Sequence, residues 1–296
     1  MRVLLLGANG QLGTDLKRAV ADWPDVELIP WTRAELDVED LEGIRATLEA
    51  ARFDALINCT SYHKTDDVED NGTKAIAVNA HAVREMAGAC ESIGARFVHI
   101  STDYVFPGTA DQPYTERDCP APVNVYGLSK YMGETLALQA HPDTLILRVA
   151  SLFGVAGASG KGGNFVETML RIAREKGEVR VVDDVRMSPT STLFVARTIL
   201  KLLEMQAGAG TYHCVNSEPA TWHEFAREII RCADVPADVV PIPSTEFPAR
   251  AARPPYSVLS NAKLRATIGP VPTWRESLRE YLKERRRPAS GSPSEH

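Results

Sequence analysis

"MRVLLLGANGQLG", residues 1–13, decides the fold. Its apolar run ends at Gly7, as a strand buried on both faces would. Gly7, Gly10 and Gly13 recur at every third position, and "TDLKRAVADW" (14–23) then has the spacing of an amphipathic helix. A glycine turn between strand and helix lets the backbone approach a pyrophosphate. The helix start beyond it presents free N–H groups and the positive end of a dipole. The stretch predicts a dinucleotide site with Gly7, Asn9, Gly10, Gln11, Leu12 and Gly13 around the phosphates. A glycine triplet alone is weak. Its place between strand and helix is what separates it from a plain turn.

Outward from this start the chain alternates. Strand patterns recur at 26–31, 54–60, 96–101 and 144–150, with helical patterns at 38–51, 72–94 and 125–140 between them. Continuous apolar strands separated by helices predict an α/β fold, a doubly wound parallel sheet of Rossmann type. After residue 150 the rhythm loosens. Helices are expected at 162–177, 192–206, 221–233 and 274–287, strands at 179–184 and 210–216, and extended Pro-rich pieces near 237–247 and 251–259. The expected organisation is a dinucleotide-binding domain over 1–150, then sheet completion with a small mixed C-terminal substrate lobe over 151–284. A disordered tail follows over 285–296.

A net charge of -6 gives no general support to nucleic-acid binding. No apolar run approaches membrane-spanning length, and the N-terminus lacks the form of a signal peptide. The five cysteines contain no Cys-x-x-Cys pair, which argues against a metal site or disulfides and fits a reducing cytoplasm. A monomer or homodimer is expected.

The end of the second strand selects the ribose of a dinucleotide, and an acid there favours NAD. Here Thr32 and Arg33 stand in that place, and a guanidinium can pair with a 2'-phosphate, which favours NADPH over NADH, the alternative for Arg33 being a solvated loop residue. Asp37 and Val38 are placed to meet the adenine edge or to begin the next helix.

"VYGLSKY" (125–131) sets Tyr126 and Lys130 one helical turn apart. A phenol titrates near 10, and an adjacent cation stabilises its phenolate. A Tyr-x-x-x-Lys pair is common on surfaces. Its position after the fourth strand, behind Ser101, Thr102 and Asp103 at that strand's carboxyl end, is what points to catalysis.

Together these segments make the chain resemble the extended short-chain dehydrogenase/reductases, and among them the dTDP-4-dehydrorhamnose reductase family. "GANGQLG", "ISTDYVFPGT", "PYTE", "NVYGLSK", "GGNFVETML", "SPTS", "GTYH" and "ARPPYSVL" follow that pattern in order, from residue 1 to about 284. The resemblance implies an NADPH-dependent reduction of a C4 keto group on a nucleotide sugar. Tyr126 would donate the proton, Lys130 would hold the nicotinamide ribose and lower the Tyr pKa, and Thr102 would assist at the keto oxygen. It places Ser61, Tyr62 and His63 along the cofactor, and Thr102, Asp103, Tyr104, Asn164 and Arg253 near the sugar nucleotide. It implies no catalytic metal.

The chain departs from the pattern at "SYHKTDD" (61–67), at Ser151 where a tryptophan usually faces the substrate, and at Arg186-Met187. These departures leave open a reductase of a different 4-keto deoxysugar nucleotide. A non-catalytic regulatory subunit on the same fold is the alternative from another class.

Overall fold

A computed structural model describes residues 1–156, 163–247 and 249–285. Of the tail expected over 285–296, Arg285 is instead the last residue of a helix and pairs with Glu167 at 2.6 Å, and the remainder lies outside the described residues. The first half holds β1 (Arg2–Leu6), α1 (Gln11–Ala19), β2 (Glu27–Trp31), α2 (Leu41–Ala50), β3 (Ala55–Asn58), α3 (Thr65–Asp70), α4 (Gly72–Ile76), α5 (Ala82–Ile93), β4 (Arg96–Thr102), α6 (Val125–Ala140) and β5 (Thr144–Val149). The second half adds β6 (Leu152–Phe153), α7 (Phe165–Lys176), β7 (Glu178–Val182), β8 (Arg186–Met187), β9 (Thr190–Ser191), α8 (Thr192–Glu204), β10 (Gly210–His213), β11 (Ala220–Thr221), α9 (Trp222–Ala233), β12 (Asp238–Ile242), α10 (Ala262–Ile268) and α11 (Trp274–Arg285).

Six strands form one parallel sheet in the order β2-β1-β3-β4-β5-β10. β3 and β5 are buried at every residue, as a strand covered on both faces must be. Helices α2, α5 and α6 pack on one face, through a core that includes Ile44, Met86, Phe97 and Ala137. Helices α1 and α8 cover the other, around Leu16, Val98, Leu147 and Ile199. The chain reverses its course at β1, between β2 and β3, which is where open parallel sheets hold ligands.

A smaller lobe has its own core of Phe153, Leu170, Val179, Phe225, Ile229, Trp274 and Leu278. Among the described residues its strands form three two-stranded pairs, β7 with β12, β8 with β11 and β6 with β9. The lobe and the sheet are interleaved, since β10 and α8 return to the sheet between lobe segments. No helix among the described residues is long and apolar enough to cross a membrane.

Two local expectations need correction. The single helix expected over 72–94 is broken by a π-helical turn at Ala77–His81. Helices α3 and α10 lie in segments that their short, polar composition left unassigned.

Candidate active site

The phosphate turn follows β1 directly. Gly7 adopts φ +77, and a Cβ there would lie 2.9 Å from the Cys59 carbonyl carbon. A Cβ on Gly13 would come within 2.4 Å of the Gly7 carbonyl oxygen, so helix α1 reaches the strand only as glycine. Beyond the turn lies a cleft of about 640 Å³, walled by Gly7, Asn9, Gly10, Arg33, Asp37, Val38, Ser61, Tyr62 and His63 among others. A second cleft of about 310 Å³ opens further in, between Gln11, Leu12, Thr102, Asp103, Tyr104, Tyr126, Lys130, Ser151 and Trp222. Cys59, Thr60, Ser61 and His63 line both, so the two clefts share a wall and form one elongated groove. This groove fits a dinucleotide laid across the sheet edge. Gln11 Nε2, buried with no partner among the described residues, offers a donor at the inner end.

Arg33 stands at the outer end, exposed and paired with Asp37 at 2.9 Å and Glu39 at 3.1 Å. Lys74 joins it, 3.0 Å from Glu39 and 5.5 Å above the Tyr62 ring. Sequence reasoning missed Lys74 because it sits on α4, far along the chain from Arg33.

Helix α6 carries the Tyr/Lys pair. Asn124 caps it by accepting the Gly127 N–H at 2.7 Å, and Glu69 accepts the Val125 N–H at 2.9 Å. Gly127 and Gly133 bring the helix into backbone contact with its neighbours. A Cβ on either would lie 2.1 Å from a carbonyl oxygen, of Tyr104 and Asn79 respectively. Below, Glu134 forms a two-point pair with Arg148 of β5 at 2.9 and 2.7 Å and accepts the Ser101 hydroxyl. Both charges are buried, so the pair fixes where α6 sits on the sheet.

Tyr126 accordingly lies beside Thr102 and Ser61, whose hydroxyls act to lower its phenol. Burial, then the nearby Asp103, push the phenol up to about 12. A phenol with a raised pKa stays protonated and is a loaded donor. Lys130 is itself buried, and burial moves it down to about 8. Its Nζ lies 3.2 Å from His99 Nε2.

Asp103 is buried beside Tyr126 and pushed up to about 6 by burial. Its Oδ1 accepts the Thr102 hydroxyl at 3.0 Å, and the Ser257 hydroxyl also acts on the carboxyl and lowers it. The ring of Tyr104 meets that of Tyr126 edge-on at 6.1 Å. Ser151 has φ +43, a strained conformation for a residue with a side chain, at the rim of the inner cleft. Trp222, the first residue of α9, brings the lobe to the same cleft and packs on Phe165 at 4.7 Å. The sequence held no local sign of that approach.

Two expected substrate residues also make contacts within the fold. Asn164 caps α7 through the Glu167 N–H at 3.0 Å and donates to the Gly154 carbonyl at 2.6 Å. Arg253 pairs with Asp66 at 3.0 Å, and its charge acts on Tyr104 at the wall of the inner cleft. Neither is among the described residues lining the clefts. Asn79, in the π-helical turn, binds Ser61, both backbone groups of Tyr62, and Ser129 of α6. A one-turn widening of a helix commonly marks a functional site, and here it delivers Asn79 to the seam.

This fold and site define an extended short-chain dehydrogenase/reductase, a dinucleotide-dependent oxidoreductase. The chain belongs to the RmlD substrate binding domain family, whose profile matches residues 1–287. It is 37% identical to a dTDP-4-dehydrorhamnose reductase of Burkholderia thailandensis, covering 94% of this chain and 97% of the relative. It is 35% identical to a dTDP-4-keto-6-deoxy-D-glucose reductase of Streptomyces niveus, over 94% and 95% of the two chains. The solved dTDP-4-dehydrorhamnose reductase of Bacillus anthracis in complex with NADP superposes with a TM-score of 0.89 at 36% identity, over 96% and 99%.

Proposed function

We propose that the protein reduces the C4 keto group of dTDP-4-dehydro-L-rhamnose, with NADPH as the hydride donor and Tyr126 as the proton donor. The observation that carries this reading is the meeting of Tyr126, Thr102 and Ser61 hydroxyls at the seam of the two clefts. The dinucleotide would lie in the larger cleft, its pyrophosphate on Gly7, Gly10 and the start of α1. Bound there, it supplies the hydride that adds to C4.

Each side chain then has a defined task. Tyr126 gives its phenolic proton to the oxygen that becomes an alkoxide, and the phenol's raised pKa keeps that proton in place beforehand. Thr102 and Ser61 orient the phenol. Lys130 stands one turn along α6 to hold the ribose, and the Asp103 carboxyl lies beside the phenol at the wall of the inner cleft. Arg33 and Lys74 favour a 2'-phosphate, which supports NADPH, with NADH the weaker donor. Segments 151–284 supply the substrate side through Ser151 and Trp222.

A second reading, reduction of dTDP-4-keto-6-deoxy-D-glucose, is favoured by the Streptomyces niveus relative and by Ser151. The test is oxidation of NADPH and of NADH by the purified protein with each sugar nucleotide. Rapid oxidation yielding dTDP-L-rhamnose is expected. Turnover of the glucose-derived substrate alone would select the second reading. Cofactor binding without oxidation of either would turn the assignment towards a non-catalytic role.

A further inference from the structure

Asn58, His99 and Lys130 form a buried row beneath the seam. The amide of Asn58 has only one orientation that satisfies its neighbours. Its Oδ1 accepts the Thr60 backbone N–H at 2.9 Å and the Thr60 hydroxyl at 2.6 Å. A backbone N–H can only donate, so the oxygen must be on that side. The NH2 end therefore faces His99 Nδ1, 3.3 Å away. It too can only donate, and so Nδ1 must accept. A neutral imidazole with an accepting Nδ1 carries its proton on Nε2. Burial, then the Lys130 charge, hold His99 well below its usual pKa and hence neutral.

Nε2 is the atom that lies 3.2 Å from Lys130 Nζ. An ammonium offers three donors and no acceptor, so it meets the Nε2–H donor to donor. A neutral amine has a lone pair that accepts that proton. We propose that Asn58 and His99 are positioning residues that lock the imidazole in the Nε2–H tautomer, and that this lock biases Lys130 toward the neutral amine. Lys130 then releases and regains its proton near working pH instead of remaining a fixed cation.

The other groups around Lys130 bear on the same equilibrium. Burial acts with the lock. The Glu134 carboxylate on α6 opposes it, although Arg148 of β5 shares that charge. The Cys59 thiol after β3 is pushed up to about 12 by burial and stays neutral. Tyr126, on the same helix, is also protonated through the neutral range. Thr60 lines both clefts, so the loop against which the dinucleotide would lie is the one that sets the amide and, through it, the lysine.

The inference rests on the proposed dinucleotide site only for its purpose, and its test needs no ligand. Imidazole 15N spectra of the labelled protein distinguish the tautomers, with the His99 signals assigned by their loss in His99→Phe. The Nε2–H form is expected, and a resting Nδ1–H form overturns the proposal. In parallel, the 13Cε signal of Lys130, assigned by Lys130→Met, is titrated between pH 6 and 11. Its midpoint should fall at least tenfold in proton affinity below that of ordinary lysines, about one pH unit. In Asn58→Ala the imidazole should switch to the Nδ1–H form and accept from the ammonium, raising the midpoint by about one unit. An unmoved midpoint overturns the proposal. If that variant does not fold, the wild-type tautomer alone decides. Failure of the dinucleotide reading appears separately, as absence of NADPH binding with the same spectra.

Discussion

Asn79 Nδ2 donates to Ser129 Oγ at 3.0 Å, joining the loop of Ser61 and Tyr62 to the helix of Tyr126 and Lys130. Its Oδ1 meanwhile accepts the Ser61 hydroxyl at 3.1 Å and the Tyr62 N–H at 2.9 Å. One buried amide thus sets the spacing between the Ser61–Tyr62 loop and the helix that carries Tyr126.

Tyr126→Phe should lower turnover by about a hundred- to ten-thousand-fold, the usual worth of general acid catalysis, with NADPH affinity little changed. Lys130→Met should lower both turnover and NADPH affinity. Steady-state rates beside a fluorescence titration of NADPH separate the effects. Normal turnover by the Phe variant would remove Tyr126 from the mechanism.

Arg33 and Lys74 share the outer end of the groove, each paired with Glu39. Replacing both by Ala should reduce the preference for NADPH over NADH by about tenfold or more, given the strength of charge-assisted hydrogen bonds to phosphate. NADH kinetics should hardly move. An unchanged ratio of kcat/KM values would place the 2'-phosphate elsewhere.

Asp103 provides a stability test with a defined sign. Its folded pKa of about 6 exceeds the 3.8 of an ordinary carboxyl, so the native state binds this proton more tightly. Its ionisation therefore opposes folding. The penalty is absent below about pH 4, grows up to about pH 6 and is complete above it. Asp103→Asn should stabilise the protein by about 2–3 kcal/mol at pH 8 and by almost nothing at pH 4. Urea melts at the two pH values measure the gap, and equal gains at both would refute the assignment to ionisation.

Gly133→Ala places a methyl group 2.1 Å from the Asn79 carbonyl oxygen, which belongs to backbone and cannot swing aside. Helix α6 must move away. A loss of about 1–3 kcal/mol is expected, the usual range for overpacking, together with reduced turnover. Thermal melts and rates on one preparation test both. Full activity with native stability would show that the helix has slack.

The glycine turn between β1 and α1 was legible because its signal is local. Three glycines between an apolar run and an amphipathic helix lie within residues 1–13. The Tyr126/Lys130 pair was legible for the same reason, as a spacing on one helix. Asn164 shows the opposite case. It matches a family segment, yet its amide is taken up by the Glu167 N–H and the Gly154 carbonyl, both near it in the chain. A matched residue can serve the helix it begins.

Hydrophobic periodicity and turn residues act over a few positions, so the sequence by itself determined the alternation of strands and helices, the phosphate turn and the Tyr/Lys helix. Contacts between segments far apart were decided only by the tertiary structure. It brought His99 of β4 under Lys130, Trp222 of the lobe to the inner cleft, and Lys74 beside Arg33. It also decided charge. Tyr126, Asp103 and Lys130 all depart from their ordinary pKa with burial as the largest cause, and burial belongs to the packed chain rather than to any short stretch of it.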